Sequence, residues 1–246
     1  MRAVQHSAVR GWALLLALLS CSCLSDATPE KEKPNFPSVR WDETQPGCTF
    51  SRSEGGKYRY GLWAGDVGIT LAVDSQELEK VHRRHESFFS VWLSVRNRGN
   101  QALEVSPDPI SLEFVTHFKV IQTSLDPDGF AARIQEDADE LDHQTAREVE
   151  KHPEQKESKE AYVRAFQKDS AELLEFVSKN SLRAAHLDPG NPEVSGWVLF
   201  STKNKWIGGW KKREEFILRV PLDGKIFEFP FKLPPKEGEL ILRHRE

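Results

Sequence analysis

Two stretches of alternating apolar and polar residues flank a helical stretch in this 246-residue chain. Residues 65–73, "GDVGITLAV", alternate with the period of a strand that has one buried face. Residues 87–97, "SFFSVWLSVRN", place Phe88 and Trp92 on one face. The other face is apolar throughout, with Phe89, Val91, Leu93 and Val95. We therefore predict that residues 87–97 form a long central strand.

The residues after this strand predict further antiparallel strands. "NRGNQ" (97–101) contains the Asn and Gly residues that turns favour, and "ALEVS" (102–106) is expected to return as the partner strand. Residues 107–123 open with two prolines and predict a turn and a further strand. Strands and turns that alternate about every 10 residues are typical of an antiparallel sandwich.

The middle of the chain predicts two helices. From Asp128 to about Lys151 the apolar residues follow helical spacing, and Pro153 ends this pattern. A second helix is expected from Pro153 to about Ala185, and the two are expected to pair as a hairpin. The apolar positions are Phe130, Ile134, Ala138, Leu141 and Val149 in the first helix, and Tyr162, Phe166, Leu173 and Val177 in the second.

Strand patterns return after the helices at 196–200, 215–222 and 225–233. The last two are joined across Asp223-Gly224, a pair favoured in two-residue hairpins. Pro230 cannot donate a backbone hydrogen bond, so we expect the last strand to lie at a sheet edge. Its core face is expected to be aromatic, with Phe227, Phe229 and Phe231.

The combined pattern predicts a mainly β protein with an α insertion: an immunoglobulin-like antiparallel β-sandwich interrupted by a long helical hairpin. The expected organisation follows the chain from a signal peptide through a tether to one split domain. Its parts are a signal peptide at 1–20, a lipidated N-terminus and flexible tether at 21–55, the sandwich at 56–127 and 194–235, the hairpin insertion at 128–190, and a polar C-terminal tail at 236–246.

The N-terminus predicts export and a lipid anchor. Arg2 and Arg10 precede eight apolar residues, Trp12–Leu19, which are too few for a permanent membrane span. "LLSC" (18–21) resembles the lipobox of bacterial lipoproteins, and Cys21 would then carry the lipid. Two or more acyl chains make anchoring stable where one is marginal. Cys23 fits less well, because Ser20 rather than an aliphatic residue stands three positions before it.

We therefore expect an extracytoplasmic protein of the bacterial cell envelope, lipid-anchored to a membrane. Ordinary secretion, which would give a soluble secreted or periplasmic protein, stays an alternative. Removal of residues 1–20 takes two of the 34 basic residues and none of the 38 acidic ones, which leaves a net charge of −6. This mildly acidic balance argues against nucleic acid as a partner.

The third cysteine, Cys48, lies in "QPGCTFSR". Two interpretations stay open: a buried or capped thiol, and a disulfide with Cys23, which would join it to the flexible tether.

The strand patterns "FSVWLSVRNRGNQALEV", "GWVLF" and "FILRVPLDGKIFEFPF" resemble the immunoglobulin-like domains of uncharacterised bacterial lipoproteins over about 60–125 and 194–234. Such domains are mostly binding or structural modules, so the resemblance implies no catalytic residues. By analogy with antibody domains, Trp92 is a candidate core tryptophan. The inter-sheet disulfide of those domains is missing, because neither stretch contains a cysteine.

Metal and catalytic motifs are weak. "HRRHE" (82–86) offers His82 and His85, but it does not spell the zincin pattern, and its two arginines would repel a cation. Other histidines are scattered at His143, His152 and His186. The chain has no nucleophile elbow, phosphate loop or C-x-x-C pair. We expect no catalysis, no metal and no cofactor; a metal-dependent hydrolase is the remote alternative.

The loop 201–215, "STKNKWIGGWKKREE", supplies the candidate contact residues Trp206 and Trp210, which flank a Gly pair among basic residues. Exposed tryptophans can stack on sugars or form protein hot spots. The alternative is that both rings cap the core. The expected function is a lipid-anchored binding or structural protein that contacts an envelope protein or cell-wall glycan. A carbohydrate- or peptidoglycan-binding module that uses these tryptophans is the alternative.

Overall fold

The computed structural model describes residues 36–52, 57–74, 88–116, 120–201 and 214–233, all within the compact unit Phe36–Glu246. The helices are α1 (Pro127–Lys151) and α2 (Lys156–Asn180), separated by a short 3₁₀ turn. The strands are β1 (Ser38–Arg40), β2 (Cys48–Arg52), β3 (Lys57–Ala64), β4 (Val67–Asp74), β5 (Phe88–Asn97), β6 (Leu103–Val105), β7 (Ser111–Phe114), β8 (Val120–Thr123), β9 (Ala185–Leu187), β10 (Glu193–Ser201), β11 (Glu214–Leu222) and β12 (Lys225–Leu233).

The described strands form two five-stranded sheets and a two-stranded one. The first sheet has the order β1-β12-β11-β7-β8, and the second has the order β10-β5-β4-β3-β2. The two-stranded sheet pairs β6 with β9. Neighbouring strands are antiparallel except for β1 and β12, which run parallel.

The inner faces of the two large sheets share one hydrophobic core. Phe227 and Phe229 of the first sheet and Leu71 and Leu93 of the second are fully enclosed. Burying a side chain of this size contributes about 1.5–3 kcal/mol relative to leaving it exposed. The strand alternation therefore builds the core, and the arrangement is compatible with a β-sandwich carrying a helical insertion.

Two details of the predicted strands are confirmed. The strand β5 is central, because β4 and β10 pair with its two sides. The hairpin between β11 and β12 turns at Asp223 and Gly224, whose φ angles are 52° and 65°. Two positive φ angles in succession are typical of the type I′ turn that suits the twist of antiparallel strands.

The predicted partner of β5 is wrong. Residues Leu103–Val105 do not return against β5 but pair with Ala185–Leu187 after the helices. Both edges of β5 are already occupied by β4 and β10, so no backbone group there remains for β6. The turn prediction was local, whereas the pairing depends on a strand more than 80 residues away.

The prediction that β12 lies at a sheet edge is also wrong, because β12 lies between β1 and β11. The strand β1 is short and pairs only with Ile226–Glu228. Pro230 lies beyond that segment and faces Ile217 on β11. The proline is tolerated because the neighbour on its other side ends before reaching it.

Both helices form where the sequence predicts them, with differences at the ends. The carboxylate of Asp126 caps α1 by accepting a hydrogen bond from the backbone N–H of Gly129 at 2.7 Å. The helix α2 ends at Asn180 rather than near Ala185, because Ser181 is extended and bridges to Trp197 of β10. In the described ranges, no helix is long and apolar enough to span a membrane.

The chain enters and leaves the helical hairpin along the free edge of β10. The N–H of Leu125 donates to the carbonyl of Leu199 at 2.7 Å, and the N–H of Leu182 donates to the carbonyl of Trp197 at 2.8 Å. An edge strand exposes unpaired backbone groups that promote aggregation, and these two contacts cover them. The hairpin therefore closes the edge of the second sheet at its root.

A second apolar cluster fixes the hairpin root to the second sheet. Phe130, Ile134 and Val177 of the helices pack with Phe88 and Leu199 of the strands. The rings of Phe88 and Phe130 meet edge-on with a centroid distance of 5.3 Å. Because backbone bonds and apolar contacts act together, the root is held as part of the sandwich.

Candidate binding surface

The strongest sequence-predicted sites lie outside the described residues. They are the lipidation candidate Cys21 and the contact candidates Trp206 and Trp210; the histidine group at 82–86, where no metal is expected, also lies outside the described residues. These remain predictions.

The remaining histidines do not assemble a metal site in the described residues. His143 lies on α1, His152 follows its end, and His186 lies on β9; all three are exposed. Within the described ranges, no three His, Cys, Asp or Glu side chains come close enough together to hold a metal ion.

Cys48 begins the edge strand β2 as a half-buried free thiol. Its sulfur accepts a weak hydrogen bond from the backbone N–H of Asp42 at 3.4 Å. This geometry agrees with the capped-thiol interpretation. A bond to Cys23 stays a prediction, because Cys23 lies outside the described residues.

The proposed role of Trp92 as a core tryptophan is wrong. Phe89, Val91 and Leu93 point into the core, so strand alternation turns Trp92 to the outer face, where it is half-buried. Among the described tryptophans, Trp41, which is 7% exposed, is the one that joins the core. The analogy failed because the phase of the strand, and not the residue type, decides which face a side chain occupies.

The outer face of the second sheet carries three half-buried tryptophans, one on each of three strands: Trp63 on β3, Trp92 on β5 and Trp197 on β10. Trp92 and Trp197 are directly opposite each other across the β5–β10 pair. Trp197 also contacts Phe176 of α2, with a centroid distance of 5.9 Å, so the hairpin root borders this face.

Trp63 and Arg98 form a stack on this outer face. The ring of Trp63 lies flat over Gly68, where a Cβ atom would be only 2.5 Å from a ring carbon. The guanidinium carbon of Arg98 lies 3.7 Å from the ring centroid on the free side. Because Gly68 has no side chain, the Trp63 ring can pack flat against the sheet, and the Arg98 guanidinium covers the ring.

The loop that carries Arg98 is fixed by its neighbours. The N–H of Arg98 donates to the carbonyl of Asp66 in the β3–β4 turn at 2.9 Å. The buried side chain of Asn97 accepts from the N–H of Gly99 at 2.9 Å and donates to the carbonyl of Gln101 at 2.7 Å. The position of the Arg98 guanidinium is thus set by backbone contacts as well as by stacking.

A second arginine–tryptophan contact lies on the same face. The guanidinium carbon of Arg59 is 5.8 Å from the centroid of the Trp92 ring. Arg59 and Arg98 are both exposed, and neither forms an ion pair with any carboxylate whose side chain the structure describes. Arg96, by contrast, lies 3.9 Å from Glu193.

Small side chains separate the two arginine–tryptophan contacts. One row across the sheet holds only hydroxyl residues and glycine: Thr49, Gly61, Thr70, Ser94 and Ser195. Of these, Ser94 donates to the carboxylate of Glu193 at 2.6 Å. The middle of the outer face is therefore recessed. The Arg98–Trp63 contact lies on one side of it and the Arg59–Trp92 contact on the other.

The outer surface of α1 has the opposite charge. Five acidic residues between positions 136 and 142 are exposed: Glu136, Asp137, Asp139, Glu140 and Asp142. Two of them accept hydrogen bonds from side-chain amides of the same helix: Gln135 donates to Asp139 at 2.9 Å, and Gln144 donates to Glu140 at 2.7 Å. These residues therefore form a solvated, acidic face of the helix.

Comparison of the chain with protein-family models, with curated proteins and with solved structures finds no match.

Sequence reasoning missed the outer-face surface, although one signal pointed to it. Strand alternation already placed Trp92 opposite the apolar face of β5. The contact between Trp63 and Arg98 had no sequence signal, because the two residues are 35 positions apart and meet only when β3, β4 and β5 pair.

Proposed function

We propose that the protein is a lipid-anchored, extracytoplasmic binding protein without catalytic activity, attached to a membrane of the bacterial cell envelope through Cys21. Its sandwich is of the immunoglobulin-like kind and presents the helical hairpin, together with the adjoining sheet face, to an envelope partner. The lipobox-like context of Cys21 and the polar tether behind it support the anchor.

The observation that carries the presenting role is the contrast between the two ends of the hairpin. At the root, Phe130 and Val177 are buried against the second sheet. Between residues 139 and 162 the helices have no fully buried residue. A segment that is fixed at one end and polar at the other suits contact with a partner more than it suits the stability of the core.

The immunoglobulin-like assignment is supported by two mostly antiparallel sheets that share one core. The parallel pairing of β1 with β12 is a departure from a purely antiparallel sandwich. The described residues contain one cysteine, Cys48, and it is a free thiol. Such a domain would depend on its aromatic core rather than on an inter-sheet disulfide.

Metabolic labelling with radioactive palmitate tests the anchor. Cells producing the wild-type chain, Cys21→Ser or Cys23→Ser are labelled, and the protein is immunoprecipitated and fractionated. We expect Cys21→Ser to lose the label and to leave the membrane fraction, because a hydroxyl cannot form the thioether of the lipid. The matched variant Cys23→Ser should keep both the label and the membrane association.

Undiminished labelling of Cys21→Ser would remove the anchor from the proposal. Loss of the label in Cys23→Ser alone would move the acylated residue to position 23.

A further inference from the structure

We propose that the outer face of the second sheet binds an acidic polysaccharide, with Arg59 and Arg98 as the residues that meet its carboxylates. This inference rests on the proposed binding function and names the ligand class. Two exposed arginines carry the inference: each guanidinium lies over a tryptophan ring, and neither is paired with a carboxylate whose side chain the structure describes.

A stacked guanidinium is prepared for an anionic ligand. Stacking uses the face of the planar group and leaves its N–H donors at the rim, where they match the two oxygens of a carboxylate. The Arg98 guanidinium is 3.7 Å from the Trp63 ring, and backbone bonds hold its loop. Less side-chain freedom is then lost on binding than for an unrestrained arginine.

The spacing fits a chain-like ligand rather than a single ion. Arg59 and Trp63 are four positions apart on β3, which corresponds to about 13 Å along the strand. One small anion cannot contact both places at once. A short oligosaccharide with a charged group on successive rings can reach both.

The surface between the two arginines suits sugar rings. Thr70 and Ser195 offer hydroxyl groups, and the exposed Thr49, whose side chain lies over Gly61, offers a third. The apolar faces of sugar rings pack on aromatic side chains such as Trp92. The tryptophan ring would contact the apolar faces of the sugars, and the protein hydroxyls would bind the sugar hydroxyls. The carboxylates of the ligand would bind the arginines.

The local charge differs from that of the whole chain. After removal of residues 1–20 the net charge is −6, since 32 basic residues then stand against 38 acidic ones. General attraction of anions to the protein is therefore absent. An acidic polymer must bind where cationic groups are concentrated, which favours a defined site over a diffuse one.

Isothermal titration calorimetry of the full chain purified in detergent tests this inference. The probes are an oligogalacturonate of defined length, the same oligosaccharide with its carboxylates methyl-esterified, and peptidoglycan glycan strands from which an amidase has removed the stem peptides, so that the muramic acid carboxylates are free. We expect binding of the oligogalacturonate and no binding of its neutral ester. Binding of the peptidoglycan strands as well would identify the muramic acid carboxylate of the envelope as a source of the same chemistry.

The variants Arg59→Gln and Arg98→Gln should each weaken binding about tenfold, because each removes a charge-assisted contact. The matched control is Arg133→Gln, whose guanidinium lies 5.7 Å from the Phe130 ring on the hairpin root. It removes the same kind of contact elsewhere and should leave the affinity unchanged. Circular dichroism checks that all three variants keep their fold.

Three results would overturn the inference. The first is the absence of binding heat with every acidic glycan. The second is an Arg59→Gln/Arg98→Gln double variant that binds with the affinity of the wild type. The third is a methyl ester that binds as tightly as the free oligogalacturonate. Binding to vesicles containing phosphatidylglycerol that is lost in the double variant, without glycan binding, would reassign the face to anionic lipid. Palmitate labelling is independent of both arginines, so the anchor and the glycan site can fail separately.

Discussion

Tyr60 is a polar side chain enclosed in the aromatic part of the core. It is 1% exposed, and Trp41 packs edge-on against its ring with a centroid distance of 5.2 Å. Its hydroxyl has no hydrogen-bond partner among the described residues. Burial raises the pKa of Tyr60, with the neighbouring Tyr58 as the smaller cause. The ring thus stabilises the core while its hydroxyl opposes part of that gain.

We expect Tyr60→Phe to raise the free energy of unfolding by about 1 kcal/mol at pH 7, because it removes an unpaired buried hydroxyl and keeps the ring. Above about pH 10 the unfolded tyrosine ionises while the folded one stays neutral, so this residue lowers wild-type stability as the pH rises. The difference in free energy of unfolding between Tyr60→Phe and the wild type should therefore increase with pH. Urea unfolding at pH 7 and pH 10.5 measures both effects.

Tyr162→Phe is the matched control, because Tyr162 is 47% exposed. It should change the stability by less than about 0.5 kcal/mol. A loss of stability in Tyr60→Phe would mean that its hydroxyl makes a bond that stabilises the fold.

At the scale of elements, the hairpin root depends on one close backbone approach. A Cβ atom at Gly196 of β10 would lie 2.5 Å from the backbone nitrogen of Leu182. The same segment donates its N–H to the carbonyl of Trp197. Glycine is required here because the chain leaving α2 runs directly against β10.

Gly196→Ala should lower the free energy of unfolding by about 1–3 kcal/mol, because backbone atoms must shift to admit the methyl group. The exposed neighbour Ser195 provides the control: Ser195→Ala should stay within about 0.5 kcal/mol of wild type. Thermal unfolding followed by circular dichroism measures both. Equal stability of the Gly196→Ala chain would contradict the close approach.

The outer face of the first sheet contains a shielded ion network. Arg219 pairs with Glu113 on β7 and with Glu228 on β12, the latter at 2.9 Å. Both glutamate side chains are 13% exposed. Arg40 also reaches Glu228, at 3.6 Å, but is 53% exposed. Arg219 is therefore the residue that keeps the two carboxylates paired.

We expect Arg219→Met to cost roughly 2 kcal/mol, less than for a fully buried pair, because it leaves two shielded carboxylates without their main partner. Arg40→Met should cost less than about 1 kcal/mol, as for an exposed ion pair. Chemical denaturation of the two variants separates these cases. Equal effects would show that shielding does not decide the strength of this network.

Local patterns predicted the elements better than their partners. Strand alternation and helical spacing placed β4, β5, β10, β11, β12 and both helices, because each pattern is contained in a few neighbouring residues. The pairing of β6 with β9 could not be predicted in this way, because the whole hairpin separates them. The same limit applies to Arg98 and Trp63, whose contact requires three strands to pair first.

At the scale of the whole molecule, there are two candidate contact surfaces: the outer face of the second sheet and the acidic surface of α1. They differ in charge and in how firmly the fold holds them. Arg59 lies on the outer face of a sheet whose inner face forms part of the main core, and Arg98 directly follows β5 of the same sheet. The acidic residues of α1 lie on the hairpin, on both sides of its last buried residue in that helix, Ala138. A rigid sheet suits a ligand that needs fixed spacing, whereas the hairpin surface can yield to a partner's shape.

This division predicts that the distal hairpin, residues 139–162, opens without unfolding the sandwich. It has no fully buried residue, whereas β5 is buried along almost its whole length. Regions with few buried contacts open at lower free energy than the core. Hydrogen exchange measured by mass spectrometry should show faster exchange in the distal hairpin than in β5.

Two valine variants of α2 test the order of unfolding. Val177 is 0% exposed at the hairpin root, and Val163, at 5%, lies next to the distal hairpin. Each Val→Ala change should cost roughly 2 kcal/mol. Val177→Ala should speed exchange in β5 and leave the distal hairpin unchanged, because the root stays folded when that segment opens. Val163→Ala should speed exchange in both β5 and the distal hairpin, because the contacts of Val163 are lost in the local opening of the hairpin and also in global unfolding. Equal acceleration of both regions by Val177→Ala would mean that hairpin and sandwich unfold as one unit.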